Sequence, residues 1–420
     1  MGTKKKTVLT LFLVLVLVIG ILPLGVSAEQ YPIDMRSSEM DLGYTSISEK
    51  IFASAFGGSY YSNSLFPTMN SLRTLGNNIY LIDYQYDYDI DDLMAKGVSS
   101  AVELLGYASE HILKGAYKFR MGQWGLGCSV FAAKDTNGNN IMARNFDYMD
   151  APCYVVWTHP EDAYASISMV DGTFMLTTDH LSPTSIMGRM QTLLTPYLCL
   201  DGMNEKGLAI SVLQIHADGT NQNNGKTDMF TTAAIRCCLD KCKNVDEAIA
   251  MFRSFDIHDT IALGNSLGCC FHYMITDASG DAAVLEYVDN EMRITRGDNL
   301  YVTNYFRAKD GGVGMAAYDP EGMERAEYIK SVLEKNKGIL SFDQVFDTLS
   351  YVHLNYRHAN GLYDITTLWS SLYNNDQLTM AMAARMDYDN IYTFSVTNPM
   401  MVYAHDSVAV STPKAGNGFH

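Results

Sequence analysis

Three hydrophobic patterns divide the chain. Residues 8–24 form a mainly apolar run that follows directly on the basic cluster Lys4 to Lys6. Between about Asp91 and Leu113, apolar residues recur at intervals of three and four, which predicts a helix with one apolar face. Beyond Cys128, short apolar runs alternate with turn residues, which predicts strands interspersed with helices.

The N-terminal run predicts a secretory signal peptide over residues 1–28. A basic start, an apolar stretch and the small residues Val26-Ser27-Ala28 are typical of such a peptide, with cleavage after Ala28. The alternative is an uncleaved membrane anchor, because the run is long enough to span a bilayer. Either interpretation places the protein outside the cell, secreted or at the cell surface.

Residues 29–127 differ in character from the rest and are expected to form a helical N-terminal prosegment. The Gly-rich stretch from Gly122 to Gly127 separates this segment from the strand-rich region. The acidic run from Asp83 to Asp92, interleaved with tyrosines, is expected to be a solvated loop.

Residues 128–420 are predicted to form an α+β domain in which helices cover layered sheets. The Asn137-Gly138 turn between two apolar runs predicts a β-hairpin that begins at Cys128. The predicted strands are Cys128 to Ala133, Ile141 to Phe146, Tyr154 to Trp157, Ala165 to Met169, Phe271 to Thr276 and Ala282 to Tyr287, and the predicted helices are Thr231 to Phe255 and Glu321 to Lys335.

Composition narrows the classes of function. With 420 residues, 47% of them apolar, the chain can bury the core of one large or two moderate domains. The net charge of -17 and pI near 4.9 exclude a nucleic-acid partner, because phosphate binding needs a basic surface. The sequence has no HExxH or CxxC motif, so neither a metal nor another cofactor is expected.

The segment around Cys128 carries the candidate chemistry. The predicted hairpin returns the chain so that Arg144 and Asp147 lie near the Cys128 thiol. A guanidinium favours the reactive thiolate, and a carboxylate can orient an ammonium group. The alternative is a buried cysteine on a strand beside an ordinary ion pair.

Several short motifs, in this order and spacing, resemble the linear amide hydrolases of the choloylglycine hydrolase, penicillin V acylase and acid ceramidase type, and also isopenicillin N acyltransferase. The resemblance covers Cys128 to about Val396. It implies the αββα sandwich of N-terminal-nucleophile hydrolases and a precursor that is cut so that the cysteine becomes a new N-terminus. The motifs are Arg144-Asn145-Phe146-Asp147 after the cysteine, the run Asp201 to Leu208, the pair Thr303-Asn304, a helix arginine, and Thr367-Leu368-Trp369-Ser370-Ser371.

The resemblance implies a role for each matching residue. Cys128 is expected to be the nucleophile, and its freed α-amino group the base, with an unperturbed pKa of about 8. Asp147 is expected to orient this amine, and Arg144 to lie beside the thiol. Asn304 is expected to donate a hydrogen bond to the tetrahedral oxyanion.

Two further site residues follow from the resemblance. Gln214 is expected to assist Asn304 at the oxyanion, although bile-salt-cleaving members have the shorter asparagine there. Arg325 matches the helix arginine.

Cleavage is expected between Gly127 and Cys128, because glycine leaves its carbonyl unshielded. The prosegment is then expected to stay docked as a small subunit, as in the acid ceramidase and isopenicillin acyltransferase branches.

These inferences predict a secreted cysteine amidohydrolase that acts on small-molecule N-acyl amides through a thioester. The acyl group is expected to be fatty or bulky and apolar, so the substrates include lipids at a membrane surface. The alternatives are a bile salt or penicillin V acylase, an N-acyltransferase, and a catalytically inert binding protein. The run from Gly264 to Gly268 matches the GxSxG motif of serine hydrolases. A serine hydrolase is nevertheless less favoured than the cysteine amidohydrolase, because a predicted strand follows this motif where a helix is required.

Overall fold

A computed structural model describes residues 65–113, 127–175, 182–215, 217–259, 270–308, 320–357 and 364–405. All of these residues lie in one compact unit, Pro32–His420. The predicted signal peptide and the GxSxG run lie outside the described residues. None of the helices described is both long enough and apolar enough to span a lipid bilayer.

The described chain contains both helices and strands. The α-helices are α1 (Leu65–Asn70), α2 (Ile90–Lys96), α3 (Ala101–Leu113), α4 (Ile186–Gln191), α5 (Thr231–Lys241), α6 (Val245–Ser254), α7 (Pro320–Lys335) and α8 (Phe342–Tyr351). The strands in the first part of the chain are β1 (Arg73–Gly76), β2 (Ile79–Tyr84), β3 (Gly127–Asp135), β4 (Asn140–Tyr148), β5 (Cys153–Thr158), β6 (Ser166–Asp171), β7 (Asp201–Asn204), β8 (Ala209–Ile215), β9 (Thr227–Phe230) and β10 (Phe255–His258). The later strands are β11 (Cys270–Thr276), β12 (Ala282–Val288), β13 (Glu291–Arg296), β14 (Tyr301–Val302), β15 (Ile339–Leu340), β16 (Asn355–Arg357), β17 (Asp364–Asn374), β18 (Thr379–Ala384), β19 (Asp387–Ser395) and β20 (Asn398–His405).

Two large sheets form the centre of the fold. The first has the strand order β1-β2-β5-β6-β7-β8-β11-β12-β13, and the second has the order β14-β3-β4-β17-β18-β19-β20, with β15 added beside β3 and β16 beside β17. Neighbouring strands are antiparallel except for the pairs β2–β5 and β3–β15. Strands β9 and β10 form a small separate parallel pair.

The sheets face each other and carry helices on their outer sides. Strand β3 of the second sheet contacts β8 and β11 of the first. Helices α5 and α6 pack on the first sheet, whereas α7 and α8 pack on the second. A core cluster joins Phe131 of β3 to Ile329 of α7 and Phe346 of α8. The predicted four-layer αββα arrangement is therefore confirmed.

The described part of the predicted prosegment, residues 65–113, contains strands as well as helices. Strands β1 and β2 form a hairpin within it, and β2 pairs in parallel with β5, so the prosegment supplies two strands of the first sheet. The single helix predicted from Asp91 to Leu113 is divided into α2 and α3 at Gly97, which has a φ of 72°. A Cβ at Gly97 would lie 2.6 Å from the backbone oxygen of Asp228, so this close approach requires glycine.

The run from Asp83 to Asp92 is a solvated loop only in part. Its first residues end β2 and its last residues begin α2. The side chains of Tyr84, Tyr86 and Tyr88 are buried against the rest of the domain, because burying an aromatic ring outweighs the polar character of the neighbouring aspartates. The alternation of tyrosine and aspartate therefore marks an inner and an outer side of the segment.

The predicted strands downstream of Cys128 are all present. The hairpin β3–β4 and the pairs β5–β6 and β11–β12 have antiparallel registers. The helix predicted from Thr231 to Phe255 is two helices, α5 and α6, and the Asn244 side chain caps the second by accepting a hydrogen bond from the Glu247 N–H.

Candidate active site

The β3–β4 hairpin sorts the candidate residues onto two faces of the second sheet. Side chains alternate along a strand, so Arg144 and Asp147, three residues apart on β4, point to opposite faces. The Cys128 thiol and Arg144 share the face toward the first sheet. Asp147 lies on the face toward α7, directly across from Gly127.

Arg144 binds the thiol on the inner face. Its Nη2 lies 3.3 Å from Cys128 Sγ and donates to the backbone oxygen of Val212 at 2.7 Å. Its Nη1 donates to the backbone oxygen of Leu200 at 2.8 Å. Arg144 and Cys128 are completely buried, so the first sheet holds the guanidinium in a fixed position beside the sulfur.

Asp201 balances the charge of this buried arginine. Its Oδ1 lies 3.0 Å from Arg144 Nη1, and its Oδ2 accepts from Tyr373 Oη at 2.9 Å and Ser371 Oγ at 3.2 Å. A buried cation is costly unless it is paired and hydrogen-bonded. Asp201 therefore allows Arg144 to remain charged next to the thiol.

Two opposing effects act on the Cys128 thiol. Burial raises the pKa of this thiol, and the Arg144 guanidinium opposes that rise by favouring the thiolate. The net direction is upward, so the uncut protein holds the sulfur mainly as a protonated thiol. A base is then required to remove the proton before the sulfur can attack a carbonyl.

Asn304 and Arg325 bind the backbone of Cys128. Asn304 Oδ1 accepts a hydrogen bond from the Cys128 N–H at 2.8 Å and another from Arg325 Nη2 at 2.9 Å. Arg325 Nη1 donates to the Cys128 carbonyl oxygen at 2.8 Å and to Ser129 Oγ at 2.7 Å. The nitrogen that is expected to become the α-amine is therefore already fixed by a side-chain acceptor.

Gly127 and Asp147 are in close contact. A Cβ added at Gly127 would lie 2.9 Å from Leu354 Cδ1 and 3.1 Å from Asp147 Cβ, so only glycine fits here without a shift. Asp147 Oδ2 lies 3.5 Å from Arg325 Nη1 and accepts no hydrogen bond from any described residue. The carboxylate thus keeps an open acceptor atom next to the predicted cleavage site.

A β-bulge places Thr367 opposite Asp147. The register of β17 against β4 shifts between Thr367 and Trp369, which leaves one extra residue on β17. Thr367 Oγ1 donates to Asp147 Oδ1 and accepts from the Leu354 N–H at 2.9 Å. Burial raises the pKa of Asp147, whereas Arg325 and the hydrogen bond from Thr367 lower it.

The structure brings Cys128, Arg144, Asp147, Asn304 and Arg325 together. Gln214 is buried in the adjoining strand β8, and its backbone oxygen accepts from Asn304 Nδ2 at 2.8 Å. The hydrogen bonds of the Asn304 side chain thus include those with the Cys128 nitrogen, Arg325 Nη2 and the Gln214 backbone oxygen. The roles of Asn304 and Gln214 at an oxyanion remain predictions.

Sequence reasoning assigned no role to Asp201 or Thr367, although both lie in motifs that it noted. Asp201 is the first residue of the Asp201 to Leu208 run, and a carboxylate among apolar residues is a signal of a buried ion pair. Asn204 of the same run is structural, because its side chain bonds the backbone of the turn at Lys206 and Leu208.

One group of described residues has ligand atoms spaced for a metal ion. The carboxylates of Asp89 and Asp92 and the His111 ring lie within 4.8 Å of one another in the prosegment and are partly exposed. The Lys96 ammonium lies 2.8 Å from Asp92 and already supplies a cation. The group has no connection to the Cys128 site among the described contacts, and we assign it no metal.

Comparison with known proteins relates the chain to amide hydrolases. Residues 128–306 match the linear amide C-N hydrolases, choloylglycine hydrolase family. The penicillin V acylase of Pectobacterium atrosepticum is 26% identical over 202 residues, which are 46% of this chain and 53% of that protein. The match thus spans about half the length of this relative.

Solved structures of two such enzymes are similar at low identity. A mutant of the conjugated bile acid hydrolase from Clostridium perfringens shows 16% identity and a TM-score of 0.48, over 66% of this chain and 96% of that one. The penicillin V acylase from Agrobacterium tumefaciens shows 18% identity and a TM-score of 0.44, over 64% and 86% of the two chains. The family match confirms the resemblance predicted from the sequence.

Proposed function

We propose, from the match of residues 128–306 to the linear amide C–N hydrolases of the choloylglycine hydrolase family, that this protein cleaves N-acyl amides with Cys128 as the nucleophile. The observation that carries the proposal is the enclosure of Cys128 by two sets of groups. Arg144 contacts its sulfur, and Asn304 and Arg325 bind its backbone nitrogen and oxygen. An ordinary buried cysteine needs neither set.

Maturation is proposed to begin with attack of Cys128 Sγ on the Gly127 carbonyl carbon. The thiol proton passes to the Cys128 nitrogen as the C–N bond breaks, which leaves a thioester and a free α-amine. Water then hydrolyses the thioester to a Gly127 carboxylate and restores the thiol. The contact of Gly127 with Asp147 and the hydrogen bond from the Cys128 N–H to Asn304 support this site of cleavage.

Turnover repeats this chemistry on the substrate. The α-amine takes the thiol proton, the sulfur attacks the acyl carbonyl, and the amine of the substrate leaves with that proton to give a thioester. Water hydrolyses the thioester and releases the acid. An unperturbed α-amino group titrates at about 8, close enough to neutral pH for both transfers. Asn304 Oδ1 is placed to orient this amine, and the adjacent Asp147 carboxylate can stabilise its protonated form.

We further propose a fatty or bulky, apolar acyl group and export of the protein from the cell. The predicted signal peptide supports export. A second candidate is penicillin V acylase activity, which the 26% identity to the Pectobacterium atrosepticum penicillin V acylase favours. Both candidates form a thioester at Cys128, and they differ in the acyl group that is bound and in the amine that leaves.

After cleavage, the prosegment is proposed to remain as a docked subunit. Strand β2 pairs with β5 along its length, and the Tyr88 hydroxyl lies 3.0 Å from both carboxylate oxygens of Asp240. Tyr197 also donates to the backbone oxygen of Tyr88 at 2.7 Å. Release of the prosegment would expose one side of β5 and leave buried polar groups unpaired.

Intact mass measurement tests maturation. Wild-type protein and a Cys128→Ala variant are purified in parallel, and non-denaturing gel filtration precedes the measurement. We expect two co-eluting fragments that meet at Gly127/Cys128, the first starting at Glu29, and an uncut chain for the variant. An uncut wild-type chain would overturn the nucleophile assignment.

A substrate panel tests turnover. Mature protein is incubated with N-acyl amino acids, N-acylethanolamines, conjugated bile acids and penicillin V, with and without a competing amine. We expect release of a free acid from at least one long-chain or bulky substrate, and none with the Cys128→Ala variant. Inertness toward the whole panel after confirmed cleavage would contradict the proposed activity.

A further inference from the structure

A buried acid outside the Cys128 site, Glu286, is bonded to the turn that carries Asn304. Glu286 lies on β12 and is 1% exposed. Its Oε1 accepts from the Arg307 N–H at 2.8 Å, and its Oε2 accepts from the Ala308 N–H at 2.7 Å. Both carboxylate oxygens are therefore used to hold two consecutive backbone amides, three and four residues after Asn304.

His272 completes the arrangement around this carboxylate. It lies on β11 directly across from Glu286, and its Nδ1 is 3.1 Å from Glu286 Oε1. An ionised carboxylate can only accept, so Nδ1 carries the proton of this hydrogen bond. The ring is completely buried, and its Nε2 has no hydrogen-bond partner in the described parts of the chain. Three donors thus converge on the Glu286 carboxylate.

This arrangement demands an explanation because burying a carboxylate is costly. No lysine or arginine side chain in the described residues forms an ion pair with Glu286, so its charge is offset by the two backbone N–H groups and His272. A neutral residue could fill the same space in a sheet without that cost. The carboxylate gains charge-assisted hydrogen bonds to one particular turn.

That turn has to hold Asn304 accurately. Asn304 Oδ1 accepts from the Cys128 N–H at 2.8 Å, and Asn304 lies in the turn from Thr303 to Ala308 that directly follows strand β14. The Tyr305 N–H bonds back to the Thr303 carbonyl at 3.0 Å, so the turn is tight, and its far end is bonded by Glu286. A displacement of about 1 Å at a catalytic group can cost on the order of 100-fold in rate.

We propose that Glu286 is a positioning residue that holds Asn304 against the Cys128 nitrogen, with His272 orienting its carboxylate. The proposal rests on the proposed amide hydrolysis for its kinetic consequence, but its geometric consequence stands alone. Glu286 does not touch the reacting atoms and acts through the Asn304 turn. Loss of its second acceptor oxygen is expected to release the Arg307 or the Ala308 amide and to let the turn move.

A double-mutant cycle tests the kinetic consequence. Glu286→Gln keeps the size of the side chain but places an amide N–H group against a backbone donor. We expect it to lower kcat for an N-acyl amide about 10- to 100-fold with KM within about 2-fold. In an Asn304→Ala background the same change should alter the residual rate less than about 3-fold, because the group that it positions is absent.

The control is Glu291→Gln, an exposed glutamate on the adjacent strand β13, which should leave both constants unchanged. An equal fall in both Asn304 backgrounds would show a general structural defect and overturn the proposal, as would an unchanged kcat. Should Glu286→Gln fail to fold, His272→Gln makes a milder change to the same carboxylate and is judged by the same cycle.

A crystal structure needs no activity and separates the two proposals. Glu286→Gln is combined with Cys128→Ala so that the chain stays uncut. We expect the distance from the residue 128 nitrogen to Asn304 Oδ1 to exceed 3.5 Å, against 2.8 Å in the parent structure. A retained contact would refute the positioning role even if the enzyme is active. A broken contact together with an inert wild type would refute only the proposed function.

Discussion

Replacing Thr367 by valine tests how the site keeps Asp147 ionised. Valine has nearly the shape of threonine but cannot donate to Asp147 Oδ1 or accept from the Leu354 N–H. Burial already raises the pKa of Asp147, and the Thr367 hydrogen bond is one of the two main contacts that oppose this rise. The variant therefore removes a contact that favours the charged carboxylate.

The size of the effect follows from hydrogen-bond energies. A hydrogen bond to a charged group contributes about 1.5–3 kcal/mol, and 1.36 kcal/mol corresponds to one pKa unit. We therefore expect the Thr367→Val variant to lose about 1.5–3 kcal/mol of preference for the charged carboxylate, which raises the pKa of Asp147 further. If the ionised carboxylate is needed for cleavage, the acidic side of the pH profile of the cleavage rate should move to higher pH.

The assay is self-cleavage at Gly127/Cys128 followed by intact mass. Precursor purified in denaturant is refolded at a series of pH values, and the cleavage rate of Thr367→Val is compared with that of wild type. Thr366→Val is the matched control, because Thr366 precedes it on β17 and points to the opposite face. A Thr367→Val profile that coincides with this control would refute the role given to the hydrogen bond.

Three further changes have defined outcomes. Gly127→Ala should slow self-cleavage at least about 10-fold, because the added Cβ crowds the cleavage site. The control is Gly106→Ala, whose Cβ meets nothing within 4 Å. It should leave the cleavage rate, measured by intact mass, unchanged. Tyr88→Phe removes a hydrogen-bond donor to Asp240, which should weaken the association of the two fragments by about 1–3 kcal/mol. The fragments should therefore separate in gel filtration at a denaturant concentration that the wild type withstands. Equal resistance of the variant and the wild type would contradict the proposed docking contact. Burial raises the pKa of Asp171 to about 7, above its unfolded value, so the native state binds an extra proton and stability falls as pH rises toward 7. Asp171→Asn should remove this dependence of stability on pH and be more stable than the wild type at pH 8 by on the order of 3 to 4 kcal/mol. Chemical denaturation at pH 5 and pH 8 measures both. A pH dependence that persists in the variant would show that other groups cause it.

Local patterns predicted the β3–β4 hairpin correctly because its register follows from a short turn. The Asn137-Gly138 turn fixes which residues face each other, and this brings Arg144 near Cys128. The same alternation implies that Arg144 and Asp147 lie on opposite faces, a consequence that is only evident once the strand is known. The layered fold was predictable for a similar reason, since helices and strands of this mixture have few ways to bury their apolar faces.

Contacts between distant parts of the chain were not predictable in this way. Asp201 meets Arg144 because two sheets pack face to face, and no spacing in the sequence encodes that distance. Glu286 reaches the Asn304 turn for the same reason. The β1–β2 hairpin did leave a local signal: Asn77 and Asn78, with φ of 46° and 58°, form a turn just before the largely apolar strand β2.

If the chain is cut at the proposed site, the parallel pairing of β2 with β5 comes to join two separate polypeptides. Before the cut, both strands belong to one polypeptide, and the linker between them keeps their effective concentration high. After the cut, the same sheet joins two molecules, so refolding becomes bimolecular and its midpoint depends on protein concentration. Under the proposed maturation the chain therefore has to fold before it is cut, and a cleaved protein that unfolds in dilute solution no longer has the covalent link that first assembled it.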